Sequence, residues 1–138
     1  MAFNNPRVED CCALLKRVKT IAVVGLSPKA DRPSYGVSAA MQRFGYRIIP
    51  VHPTATKILG EKVYPSLSAI PEPVDLVDVF RQPEFVDEVV DECLKLKLKN
   101  LWLQDGVVNV PAAERAVAGG MIVVMDRCVY RDYKNHCR

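Results

Sequence analysis

Ile21-Ala-Val-Val24, followed by Gly25-Leu26-Ser27-Pro28-Lys29-Ala30-Asp31-Arg32-Pro33-Ser34-Tyr35-Gly36, reads as a buried strand, a glycine turn and the opening of a helix. Four consecutive apolar residues without polar alternation suit a strand covered on both faces. Gly25 permits a tight turn at the strand's end, and Pro33 falls where the first turn of a helix tolerates a missing N–H. Such a unit predicts a strand-to-helix crossover rather than a hairpin.

The same alternation runs along the whole chain. Further apolar runs are Ile48-Ile-Pro-Val51, Leu76 to Phe80 and Met121-Ile-Val-Val-Met125, with a weaker one at Leu101-Trp-Leu103. Arg7 to Val18 places Val8, Cys11, Leu14, Leu15 and Val18 on one helical stripe, and Tyr35 to Phe44 forms a helix stopped by Gly45. Pro83 to Leu98 carries acids in its first turn and lysines near its end, the order a helix dipole favours. Val110 to Ala118 is a shorter helix with Asn109 as N-cap and Gly119-Gly120 as its stop. Strands alternating with helices predict a doubly wound α/β fold of Rossmann-like type: a parallel five-stranded sheet, order 3-2-1-4-5, with helices on both faces. A ligand crevice is then expected outside the carboxyl ends of the strands, between strand 1 and strand 4.

Length and charge bound the function. The 138 residues, 49% hydrophobic and 25% charged, predict a single domain over residues 1–138, with 127–138 as a flexible basic tail. A net charge of +3 is too small for bulk attraction to nucleic acid but compatible with one local anion site. Arg127, Arg131, Lys134 and Arg138 alternate with Tyr130 and Tyr133, but Asp126 and Asp132 interrupt them, so a solvated segment is expected and no nucleic-acid partner. The five cysteines, Cys11, Cys12, Cys93, Cys128 and Cys137, contain no C-x-x-C spacing and read as free thiols of a reducing compartment, with no metal site. On a helix Cys11 and Cys12 stand about 100° apart, so at most one is expected to face the core fully. The start, Met1 to Pro6, lacks a basic region followed by an apolar run, and no apolar stretch approaches a span of about 20 residues. A cytoplasmic protein without membrane contact is the expectation.

The strand ends carry the candidate chemistry. A G-x-G-x-x-G beginning at Gly25 would need glycines where Ser27 and Ala30 stand, so the strict dinucleotide fingerprint fails. Gly25 still allows close backbone approach, the following helix offers free N–H groups to a phosphate, and Ser27, Lys29 and Arg32 can reach the same anion. A solvated loop around a turn glycine is the alternative. After the second strand, Val51-His52-Pro53 brings no carboxylate before Glu61, which tolerates a phosphorylated ribose. Lys57 and Lys62 could add charge there, or be ordinary surface lysines. Phe80 could cover an adenine or complete the core, with Arg81 beside it, while Gln104 and Gly106 lie at the expected switch point. Cys128 follows the last strand without a neighbouring histidine and reads as a buried thiol.

Seven blocks, in order, resemble the stand-alone CoA-binding proteins, which are similar to the CoA-binding domain of the succinyl-CoA synthetase alpha subunit. They are Ile21-Ala-Val-Val-Gly-Leu-Ser27, Arg32-Pro-Ser-Tyr35, Ile49-Pro-Val-His-Pro53, Leu59 to Leu67, Val77-Asp-Val-Phe80, Trp102-Leu-Gln-Asp-Gly106 and Val123 to Cys128. The resemblance implies that Gly25, Leu26, Ser27 and Arg32 hold CoA phosphates, with Lys29 and Tyr35 in the same segment. It further implies that Val51, His52 and Pro53 lie by the adenosine, and that Phe80, Arg81, Gln104 and Gly106 complete the crevice. The synthetase also uses a phosphorylated histidine on a later domain, whereas His136 has no glycine-flanked loop, so ligase chemistry is not implied. The expected function is non-catalytic binding of coenzyme A or an acyl-CoA, with an enzyme as possible partner. The competing class is a nicotinamide- or flavin-dependent oxidoreductase, against which stand the broken fingerprint and the lack of a distinct substrate domain.

Overall fold

The computed structural model describes residues 3–138; Met1 and Ala2, part of the start read above for a leader, lie outside the described residues. The elements are α1 (Val8–Arg17), β1 (Thr20–Val24), α2 (Pro33–Arg43), β2 (Arg47–Val51), β3 (Lys57–Ile58), β4 (Glu61–Lys62), β5 (Leu76–Val79), α3 (Val86–Lys95), β6 (Asn100–Leu103), α4 (Val110–Ala118), β7 (Ile122–Val124) and α5 (Val129–Asp132). A π-helical turn, Tyr133–Cys137, continues α5. Among the described residues no helix is long and apolar enough to cross a membrane.

The doubly wound parallel class is as expected. Five parallel strands run β2-β1-β5-β6-β7, and β3 pairs with β4 in a separate two-stranded hairpin. Within that class the third long strand, β5, lies beside β1 rather than outside β2. The outer edge of β2 is already taken: the Tyr64 N–H donates to Pro50 O at 3.0 Å, and the His52 N–H donates to Tyr64 O at 3.0 Å. β5, whose four residues are all buried, takes the position covered on both faces. The sheet order therefore reverses between β1 and β5.

Strand alternation divides the core into two layers. Ala22, Val24, Val77, Val79, Leu101, Leu103 and Val123 face α3 and α4. Ile21, Val23, Ile48, Leu76, Trp102 and Val124 face α1, α2 and α5. Trp102, fully buried, donates its indole N–H to Arg127 O at 2.8 Å, so its polar handle is satisfied. The Asn109 side chain accepts from the Ala112 N–H at 3.1 Å, the N-cap expected for α4. The expected Pro83-to-Leu98 helix is divided into a 3-10 turn at Pro83–Phe85 and then α3.

Three expectations are corrected. Cys12 and Cys137 form a disulfide across 125 residues, leaving Cys11, Cys93 and Cys128 as the free thiols, all buried. Both Cys11 and Cys12 are buried because the Tyr133–Cys137 turn covers the flank of α1 that the sheet does not reach. The segment expected to be a solvated tail is helical for the same reason: it packs on α1 and α2. Tyr133 sits 4.7 Å from Phe44 between ring centroids and 5.7 Å from Tyr46, while Arg127 and Asp132 pair at 2.6 and 3.0 Å. The Tyr46 hydroxyl donates to Leu15 O, and burial pushes its pKa up to about 12.

One polar residue interrupts the central strand. Asp78 lies between Val23 and Trp102 in register, is 1% exposed, and its Oδ1 has no hydrogen-bond partner. Burial pushes its carboxyl well above the ordinary 3.8, so the folded protein holds it protonated where the unfolded chain ionises. Folding then takes up a proton at any pH between those two values, and stability falls as pH rises through that window. Asp78→Asn, which cannot ionise, is expected to flatten this dependence, gaining more melting temperature at pH 8 than at pH 4.5. Parallel slopes for the two proteins in thermal melts across that range would overturn the assignment.

Candidate functional site

The site is built where β1, β2 and β5 end side by side. The Gly25 N–H donates to Val51 O at 3.1 Å, and the Phe80 N–H donates to Val24 O at 2.9 Å, so the three strand ends are tied together. Gly25 has φ +87°, and a Cβ there would lie 2.6 Å from Phe80 O. Glycine is thus required twice over, by conformation and by close approach.

Beyond Gly25 the loop is shaped by serines. The Ser27 N–H donates to Ser34 Oγ at 3.0 Å, and the Lys29 N–H donates to Ser27 Oγ at 3.1 Å, which leaves the Ser27 hydroxyl proton free to donate elsewhere. No side chain caps α2, whose N-cap is Arg32 and whose first residue is Pro33. Pro33 has no N–H, and Tyr35 and Gly36 donate to Arg32 O, so the Ser34 N–H and the positive end of the dipole are what this helix start offers a ligand.

At the end of β2, His52 Nδ1 accepts from the Thr54 and Ala55 N–H groups at 3.2 and 3.0 Å. With Nδ1 accepting, Nε2 is the ring nitrogen left to donate, and His52 lines both lobes of the crevice. The Arg81 guanidinium lies over the Phe85 ring, 4.2 Å from its centroid. After β6, Gln104 is 3% exposed, and its Oε1 accepts from the Val129 N–H at 3.1 Å. The Gly106 N–H donates to Asp126 Oδ1 at 2.7 Å, so that amide is already occupied. Arg131 donates to both oxygens of Asp105, at 2.5 and 2.9 Å; the guanidinium holds the Asp105 carboxyl below its usual range, and the carboxylate raises the Arg131 pKa.

These residues enclose a crevice of two lobes. The larger has a cavity volume of about 1000 Å³ and the smaller about 490 Å³, and they share Gly25, Ser27, His52, Phe80, Arg81 and Gln82. Of the residues singled out in the sequence, Gly25, Ser27, Lys29, Arg32, His52, Phe80, Arg81, Gln104 and Gly106 line the larger lobe, while Val51 and Pro53 line the smaller. Leu26 and Tyr35 line neither: Leu26 is fully buried on the α1 side of the sheet, and Tyr35 packs against the same cluster. Lys57 and Lys62 are also outside both lobes, Lys62 lying over the Tyr64 ring at 5.2 Å. Sequence reasoning missed Ser34, which shapes the loop from seven residues further along, and Arg131, expected in a solvated segment. Cys128, expected as a buried thiol after the last strand, also lines the crevice.

Charge is unbalanced within the larger lobe. Arg131 is paired with Asp105, but Lys29, Arg32 and Arg81 make no ion pair among the described residues. Three free cations, an uncapped helix start and donors from Ser27 and His52 converge on one cavity. The arrangement suits a ligand with several anionic groups and a long uncharged arm.

The family model described as a CoA binding domain matches residues 19–134. The chain is 44% identical over 127 residues to the uncharacterized protein YneT of Bacillus subtilis, covering 92% of this chain and 94% of that one. It is 35% identical over 83 residues to acetate–CoA ligase (ADP-forming) II of Archaeoglobus fulgidus, covering 59% of this chain but 12% of the ligase. Among solved structures, a hypothetical protein from Pyrococcus horikoshii superposes with a TM-score of 0.90 at 35% identity, over 97% of each chain. The match, which spans β1 to α5, places this chain in the CoA-binding domain family.

Proposed function

We propose that this protein binds coenzyme A, free or acylated, and is itself not a catalyst. The observation that carries the reading is the larger lobe, which gathers the Gly25 turn, the uncapped start of α2 and the unpaired Lys29, Arg32 and Arg81, with Gly25 and Arg81 also opening onto the smaller lobe. CoA's pyrophosphate would lie on that turn. Its adenosine would occupy the smaller lobe, which Pro53, Pro65 and Phe85 line. Because no carboxylate stands between the end of β2 and Glu61, a phosphorylated ribose there would meet His52 rather than a repelling acid. The pantetheine arm would follow the larger lobe toward Gln104 and Cys128.

The non-catalytic reading rests on what the crevice holds. Its one carboxylate, Asp105, is neutralised by Arg131, and Cys128 has no histidine among the lining residues near it except His52 at the other end of the sheet. Such a single domain would act in the cytoplasm as a carrier or sensor of CoA, or as the CoA-holding partner of an enzyme.

Calorimetry and thermal melts with CoA, NADH and NADPH test the reading. CoA is expected to bind and to raise the melting temperature with concentration, since a ligand at about 100 times its dissociation constant stabilises by roughly 2.7 kcal/mol. NADH and NADPH are expected not to compete well. No heat and no shift with millimolar CoA would overturn the proposal, and tighter binding of NADPH than CoA would favour an oxidoreductase instead.

A further inference from the structure

The far wall of the larger lobe is contributed by the segment after β7, and that segment is fastened at both ends. At its start, Asp126 accepts from the Gly106 N–H at 2.7 Å. In its middle, the Val129 N–H donates to Gln104 at 3.1 Å and Arg131 holds Asp105. At its end, Cys137 is bonded to Cys12 of α1. Cys128 and Arg131 line the cavity from this segment, while Gln104, Asp105, Gly106 and Val107 line it from the loop that the segment grips. The disulfide thus closes a clamp on the wall of the crevice without itself entering it.

We propose that the Cys12–Cys137 pair is a redox-controlled clamp: oxidised it holds residues 126–137 against the loop after β6 and keeps the crevice in its binding shape, and reduced it releases that wall and weakens the ligand. The inference rests on the CoA reading for the identity of the ligand. Both sulfurs are buried, at 8% and 5% residue exposure, so exchange requires the segment to lift, which couples the chemistry to the motion. Two neighbouring features favour this pair over others. Burial raises the pKa of the Cys11 thiol beside it, which keeps that group protonated and a poor competitor in exchange. Cys93 lies in the opposite core layer, on the buried face of α3, with its pKa pushed up to about 12. In a reducing compartment a disulfide of this kind is transient and regulatory rather than a permanent staple.

The reductant is a dithiol. One of its thiolates attacks a sulfur of the pair, the Cys–Cys bond breaks, and a mixed disulfide forms as the other cysteine leaves as thiolate and takes up a proton. The second thiolate of the reductant displaces the remaining cysteine and closes the reductant's own disulfide. Two electrons and two protons pass to Cys12 and Cys137, and reoxidation by a low-molecular-weight disulfide runs the same steps in reverse. Linkage requires reciprocity: whatever factor the clamp adds to ligand affinity, the ligand adds to the stability of the clamp against reduction.

The test uses S-methyl-CoA, whose blocked sulfur cannot enter the exchange, and dithiothreitol redox buffers. Thiol labelling read by mass spectrometry is expected to find three free thiols in the oxidised protein and five after reduction. Reduction is expected to weaken S-methyl-CoA about tenfold in calorimetry, and saturating S-methyl-CoA to shift the dithiothreitol equilibrium toward the disulfide by the same factor. Cys12→Ala, or Cys137→Ser if the first variant does not fold, should bind like the reduced protein and ignore the reductant. Equal affinity in both redox states, five thiols in the oxidised preparation, or a variant still sensitive to reductant would each overturn the clamp. If neither form binds S-methyl-CoA, the CoA reading is the one that has failed, and hydrogen exchange then decides the clamp. Faster exchange of the Gly106 and Val129 amides on reduction supports it, and unchanged exchange overturns it.

Discussion

Gly25→Ala is expected to lower the melting temperature by on the order of 10 °C and to remove measurable CoA binding in what folded protein remains. The residue adopts φ +87°, a conformation costing a non-glycine residue roughly 1 to 3 kcal/mol. The added Cβ would then stand 2.6 Å from Phe80 O, 3.0 Å from Arg81 Cγ and 3.1 Å from Phe80 C. The Arg81 side chain can move aside, but the Phe80 carbonyl cannot easily do so, because the Phe80 N–H is held by Val24 O at 2.9 Å. Relief must come from parting the ends of β1 and β5, which is where the two lobes of the crevice join. Sequence alone suggested that a side chain at Gly25 would obstruct a phosphate; the structure shows that it would first obstruct the neighbouring strand. Gly45→Ala is the control. Gly45 has φ +103° but no atom within 4 Å of its Cβ position, so it should lose the conformational part of the stability and keep CoA binding. Wild-type melting and wild-type affinity in Gly25→Ala would show that the close approach is not required.

Arg32→Glu gives the opposite pairing, a large loss of affinity with an intact fold. Arg32 is exposed, makes no ion pair among the described residues, and stands at the N-cap of α2, where a carboxylate suits the helix dipole better than a guanidinium does. Stability should therefore be unchanged or slightly raised. A CoA phosphate on that helix start would meet a negative charge in place of a positive one, losing more than the roughly 1.5 to 3 kcal/mol of a charged hydrogen bond, or more than about tenfold in dissociation constant. The salt dependence of binding should also become shallower in the variant. Lys97→Glu, on an exposed position lining neither lobe, makes the same charge change and should do little. Undiminished CoA affinity in a folded Arg32→Glu protein would move the phosphates elsewhere.

Most of the strand-end residues were legible because a parallel α/β sheet delivers them automatically. Once Ile21–Val24 and Leu76–Val79 are strands, Gly25 and Phe80 must emerge on the same edge, and they do. Side-chain direction was less legible. Leu26 follows Gly25 directly, yet the turn sends it into the core, and Tyr35 lies on the core side of α2. The role of Ser34 depends on a loop closing back over seven residues, and the Nε2 donor of His52 depends on two backbone N–H groups in the following turn.

Local periodicity by itself determined the five strands, the helices between them and hence the doubly wound class, because each follows from which face of a short segment is apolar, while the Asn109 cap follows from a side-chain acceptor placed just before a helix. Periodicity says that a face must be covered but not by what. The position of β5 beside β1 was decided by the Tyr64 segment occupying the edge of β2. The pairing of Cys12 with Cys137 and the entry of Cys128 and Arg131 into the crevice were decided by the return of the chain's last helical segment across α1 and α2. Contacts between residues 125 apart exist only when the sheet between them is assembled, so tertiary closure alone could select them.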